Sequence, residues 1–110
     1  MKQSKREKLK ARGWAVGSVQ DFLSLSDAEA SLVELRLALS RNLKAWRTKR
    51  RWSQVQLAKQ LKSSQSRVAK MEAGDVSVSV DLLFRSLFVV GAKPRDLAKT
   101  IEQLEDRAAV

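Results

Sequence analysis

Apolar residues recur at spacings of three and four along most of the chain beyond residue 25, the rhythm of helices with one buried face. Ser26, with Glu29 three residues on, has the form of a capping box, and Asp27 adds a carboxylate near the positive helix start. Leu32, Leu35, Leu39, Leu43 and Trp46 then predict a first helix over residues 27–51. Ser53 and Gln56 form a second capping box ahead of Leu57, Ala58 and Leu61. Ser64 is the next N-cap, and its short helix buries Val68 and Met71. Ser79 opens a fourth helix with Leu82, Leu83, Leu87 and Val90 inward, Phe84 and Phe88 on a flank, and Gly91 at its end. Pro94 suits the first position of a last helix, with Asp96 in its first turn and Leu97, Ile101 and Leu104 as a narrow stripe. The pattern predicts an all-α chain of five helices with no real sheet.

Two of those helices are short and joined by a tight turn, in the stretch SQVQLAKQLKSSQSRVAKMEAG from Ser53 to Gly74. On the second of them Gln65, Ser66, Arg67, Ala69, Lys70 and Ala73 are left over once Val68 and Met71 are buried, and none is large and apolar. Two helices of this size crossing at such a turn make a helix-turn-helix, whose second helix is shaped to enter a DNA major groove. Charge agrees. From Leu35 to Met71 there are eleven Lys and Arg and no Asp or Glu, so this stretch accounts for the whole of the net charge of +10. Such a surface gains free energy by releasing counterions from a phosphate backbone. The cations Arg47, Lys49, Arg50 and Arg51 also suit the negative end of the first helix. Trp46 and Trp52 neighbour the predicted crossing and are expected as core anchors rather than stacking platforms.

The absences narrow the chemistry. With 110 residues, no Cys and no His, the chain lacks disulfides, thiolate metal sites and the commonest general base. There is no P-loop, and Asp and Glu fit caps and solvated faces, so no enzyme, metal or cofactor is expected. No apolar run approaches a membrane span, and no apolar stretch follows the basic start as in a secretory signal. A cytoplasmic location is expected.

Residues 1–25 are expected to be a basic, partly flexible arm ahead of a domain over residues 26–110. Lys2, Lys5, Arg6, Lys8, Lys10 and Arg12 face a single Glu7, which suits a solubilising tail or an arm along DNA. Trp14 and Phe22 either close over the core or form a patch for a partner.

The motif from Ser53 to Gly74 resembles the XRE family, the helix-turn-helix domains of the lambda-repressor and Cro type, over residues 39–91. The resemblance implies a lambda-repressor-like five-helix fold and a transcription regulator, expected as a repressor. It would bind double-stranded DNA as a homodimer, the last helix being a dimer face or simply a lid on the core. Gln54 occupies the position of a family Gln that touches a phosphate and braces the recognition helix. Ser64 corresponds to a capping residue near the DNA backbone, and Gln65, Ser66 and Lys70 to positions that read base edges. Arg67 is within reach of base or phosphate, Arg50 and Arg51 suit phosphate clamps, and Glu72 matches a structural Glu. Lys62 stands where the family usually has Gly at a positive φ, and Ser63 replaces a commonly apolar residue. With the GWAVGSVQDFLSLSDAEA stretch, the chain is also similar to small XRE antitoxins of the HigA type, which implies the alternative of an antitoxin that binds a ribonuclease toxin and autoregulates its operon.

Overall fold

The structure, a computed structural model, describes residues 26–109, with side chains described through residue 104. The readings of the basic arm and of Trp14 and Phe22 lie outside the described residues. Five helices follow one another: α1 Asp27–Lys49, α2 Gln54–Leu61, α3 Gln65–Ala73, α4 Val80–Val90 and α5 Pro94–Ala109. Among the described residues there is no strand, and the architecture is all-α and lambda-repressor-like. By its internal contacts the chain divides into two units, residues 1–34 and 35–110. The described part of the first is the opening of α1, where Glu29 N–H donates to the Ser26 hydroxyl and Ser26 N–H to Glu29 Oε1, the reciprocal pair of a capping box.

In the second unit each helix start is fixed by the side chain its sequence supplies. Ser53, Ser64 and Ser79 accept from the N–H groups of Gln56, Arg67 and Leu82. At α5, Lys93 N–H donates to Asp96 Oδ2 while Pro94 takes the first helical position, where no N–H is needed.

Helix ends are equally uniform. The N–H groups of Trp52, Ser63, Asp75 and Ala92 reach back five residues to the carbonyls of Arg47, Ala58, Lys70 and Leu87. Such closure needs one left-handed residue, here Arg51, Lys62, Gly74 and Gly91, with φ of 63°, 55°, 75° and 111°. The turn at Arg51 ends α1 at Lys49, two residues before the predicted end at 51.

The core draws on every helix of the second unit: Leu39 and Leu43 from α1, Leu57 from α2, Val68 and Met71 from α3, Leu83, Leu87 and Val90 from α4, and Leu97 from α5. Trp46 and Trp52 are half-buried against it, as core anchors should be. Val78, in the loop between α3 and α4, is also buried, and its carbonyl accepts from Arg36 Nε at 3.2 Å. Not every expected stripe position is covered: Leu32 is exposed, as is Phe88 on the flank of α4. The stripe on α5 splits, with Leu97 in the core, Leu104 half-buried and Ile101 43% exposed.

Candidate nucleic-acid interface

α2 packs on α3 and on α4, and Val68 and Met71 hold α3 against the core with no exposure at all. Helical periodicity then turns the rest of α3 outward. Ser64, Gln65, Ser66, Arg67, Lys70 and Ala73 are exposed, and Ala69 is half-buried. No large apolar side chain interrupts that face.

A chain of polar contacts fixes how α3 lies against α1 and α2. Arg47 is nearly buried, and its Nε and Nη2 both donate to the carboxylate of Glu72, a two-pronged ion pair between α1 and α3. Its Nη1 donates to the carbonyl of Trp52 at 2.8 Å, joining the pair to the loop before α2. Hydrogen bonding to Glu72, the largest influence, and the charge of Glu72 raise the Arg47 pKa against the opposing effect of burial, so the cation persists at any ordinary pH. Glu72 Oε1 also accepts from Gln54 Nε2 at 3.1 Å, and Gln54 Oε1 accepts from Gln65 Nε2 at 2.6 Å. The run Arg47–Glu72–Gln54–Gln65 therefore leads from an interior ion pair to the first residue of α3. Gln65 keeps its carbonyl oxygen and a second amide hydrogen, the acceptor and donor that adenine N6 and N7 require.

The remaining candidates fall into two groups. Ser64, Ser66, Arg67 and Lys70 line one shallow hollow together with Ser77 and Val78. Arg51 and Lys62 stand apart on the closing turns of α1 and α2, exposed and left-handed, with no side-chain hydrogen bond or ion pair to another described residue. Lys62 thus takes the backbone conformation that favours Gly, without adjustment of the turn.

Arg50 is used differently from the phosphate clamp expected of it. Its Nη1 donates to the carbonyl of Val90 at 3.1 Å, and its guanidinium lies 4.3 Å from the Trp52 ring centre. It ties α1 to the end of α4. Arg36 and Arg47 are likewise engaged within the fold, so part of the basic block from Leu35 to Met71 is structural.

Reading the residues placed neither Arg47 in the polar network nor Ser77 at the hollow. The signal for Arg47 was present: Glu72 is the first carboxylate after a long stretch of cations, and Arg47 follows Leu39 and Leu43 on the inward face of α1. Ser77 had none, because a loop residue shows no periodicity.

Residues 43–85 match the family model described as Helix-turn-helix, a span from the last two turns of α1 to the middle of α4. Comparisons with curated proteins and with solved structures give no match. Fold, exposed second helix and family match define the class of this segment, a helix-turn-helix domain. Together they support DNA binding by this segment. Among the described residues no helix is long and apolar enough to cross a membrane, and no group of His, Cys, Asp and Glu could hold a metal ion.

Proposed function

We propose that this protein is a sequence-specific transcription regulator, acting as a repressor that occupies an operator as a homodimer. The observation that carries the reading is the outward face of α3, where Gln65, Ser66 and Lys70 are exposed while Val68 and Met71 anchor the helix from behind. Gln65 and Lys70 read base edges, Ser66 adds a small donor and acceptor, and Gln54 braces Gln65 while lying close to the DNA backbone. Ser64, Arg67, Arg51 and Lys62 contact phosphates and set the docking angle. One short recognition helix offers few base contacts, so two copies on paired half-sites supply the affinity. Exposed Ile101 on α5 marks the face where the copies meet.

Selection of bound duplexes from a random pool tests the reading: an enriched, two-fold symmetric sequence supports it, and retention without enrichment overturns it. Gln65→Ala should narrow the gap between selected and random duplexes. Arg51→Ala should weaken both alike and flatten the salt dependence. Sedimentation of wild type and Ile101→Asp tests the dimer, which predicts association lost in the variant; two identical monomers would remove it. The antitoxin reading rests on the resemblance alone, and a toxic neighbouring gene whose product binds this chain would establish it.

A further inference from the structure

Past Leu97 the last helix is less closely covered, and the space it leaves against α1 has a chemistry of its own. Ala38, Asn42 and Ala45 recur at spacings of four and three, so they share one stripe of α1. Thr100, Gln103 and Leu104 belong to the facing side of α5. Together with Arg41 the two stripes line a cleft of about 270 Å³. Two of the α1 positions are Ala, whose side chains end at Cβ, and the space opposite Thr100 and Gln103 is left unfilled.

The polar groups around this cleft are largely unused by the fold. Asn42 Oδ1 is buried and accepts no hydrogen bond, a rare condition in a folded chain. Thr100 Oγ1 donates to the carbonyl of Asp96 at 3.3 Å, which engages its hydrogen and leaves lone pairs free. Arg41 and Gln103 are exposed and make no side-chain hydrogen bond or ion pair with another described residue. The cleft therefore offers one guanidinium, two amides and a hydroxyl oxygen above Ala38, Ala45 and Leu104, and its lining includes no carboxylate.

That donor set selects a ligand class. With Arg41 as the charged group of the lining, an anion is attracted and an ammonium is not. A guanidinium fork matches both oxygens of a carboxylate at once. Asn42 lacks a donor for its oxygen, and the broad two-fold torsion at the end of its side chain lets the amide turn to meet one. The volume lies just below the range of about 300–1,000 Å³ that takes drug-sized ligands, so the occupant is smaller. We propose that the cleft between α1 and α5 binds a small hydroxycarboxylate. Its carboxylate sits on Arg41, with the Gln103 amide donating from the α5 side, its hydroxyl donates to Asn42 Oδ1, and its carbon chain lies on Ala38, Ala45 and Leu104. No residue of α3 takes part, so the site stands or falls apart from the duplex-binding reading.

Matched acids with and without the hydroxyl test the assignment: lactate against propionate, and malate against succinate. Each is titrated into the full-length chain at fixed pH and ionic strength, with chloride as the background anion, while the amide shifts of residues 38, 41, 42, 45, 100, 103 and 104 are followed. Saturable shifts centred on these residues are expected, with at least one hydroxy acid binding more tightly than its partner. Arg41→Gln should weaken that binding about 10-fold or more, since it removes a charge-assisted pair. Lys44→Gln removes a neighbouring cation outside the cleft and should change it by less than about 2-fold. Asn42→Ala should erase the preference for the hydroxyl while a carboxylate still binds. Ala45→Leu, at an exposed position, should fill the cleft and abolish the shifts, with circular dichroism and the urea midpoint confirming that each variant is folded.

The absence of saturable shifts with any of these acids overturns the site. So do shifts that follow the charge of the anion alone and fall equally in Arg41→Gln and Lys44→Gln, which mark general attraction to a basic surface. Equal binding of both members of each pair overturns the hydroxycarboxylate assignment, as does an unaltered preference in Asn42→Ala.

Discussion

Lys62 and Arg51 hold cations on backbone that an L side chain adopts at a cost of about 1–2 kcal/mol. Lys62→Gly should relieve that strain, and the greater freedom of Gly in the unfolded chain offsets part of the gain. A net stabilisation of about 0.5 kcal/mol is expected from urea unfolding, with weaker binding to any duplex. Gly74 is the converse case. A Cβ there would displace the movable tip of Leu37 and touch Ser40 Oγ at an ordinary 3.9 Å, so the penalty comes mainly from its φ of 75°, and Gly74→Ala should cost about 1–2 kcal/mol. Gly91 is less replaceable, since its φ of 111° lies outside the left-handed well and an added Cβ would sit 3.2 Å from the Arg50 nitrogen that caps α4. The ion pair of Arg47 and Glu72 has side chains 11% and 4% exposed, so removing one partner strands a charge. Glu72→Ala should cost about 3 kcal/mol, and Arg47→Met with Glu72→Leu together far less, which a double-mutant cycle in urea resolves.

At the scale of elements, caps and stripes carry the argument. Ser53 and Ser64 each satisfy an otherwise orphaned N–H at the start of α2 and α3, so Ser53→Ala or Ser64→Ala should each cost about 1 kcal/mol. The divided stripe of α5 gives a sharper contrast. Leu97 is 4% exposed and Leu97→Ala should lose about 2–4 kcal/mol, while Ile101→Ala should stay within about 1 kcal/mol in the monomer. The α3–α4 loop has a pH signature. Hydrogen bonding from Ser77 holds the Asp75 carboxyl below its ordinary range in the folded chain, so its contribution is complete above the unfolded aspartate range and is lost as pH falls through the folded value. The Ser77 amide shift, which reports the hydrogen bond from Ser77 N–H to Asp75 Oδ1, should titrate below an ordinary aspartate.

Across the whole molecule the basic block serves two purposes, and they are separable by experiment. Arg36, Arg47 and Arg50 donate to groups of the fold, whereas Arg51, Lys62, Arg67 and Lys70 stand on the surface. Arg36→Gln should lower the unfolding midpoint and leave the salt slope of duplex binding unchanged. Arg51→Gln should do the reverse, keeping the midpoint and reducing the slope by about 0.9 if Arg51 neutralises one phosphate. Charge composition cannot distinguish these groups, because a cation looks the same in a sequence whether a carbonyl or a phosphate receives it.

Element order, the helix starts and the outward face of α3 were legible from residues alone, because capping and helical periodicity act over three or four positions. Ser53 with Gln56, and Val68 with Met71, are local facts that any context would read the same way. The tertiary structure decided where α1 ends, which cations stay inside, how the stripe of α5 divides, and which loop residue joins α3 at the hollow. Each of those depends on groups far apart along the chain: Arg50 on Val90, Arg47 on Glu72, Ser77 on the flank of Arg67. Spacing predicts a face, but only packing determines what the face meets.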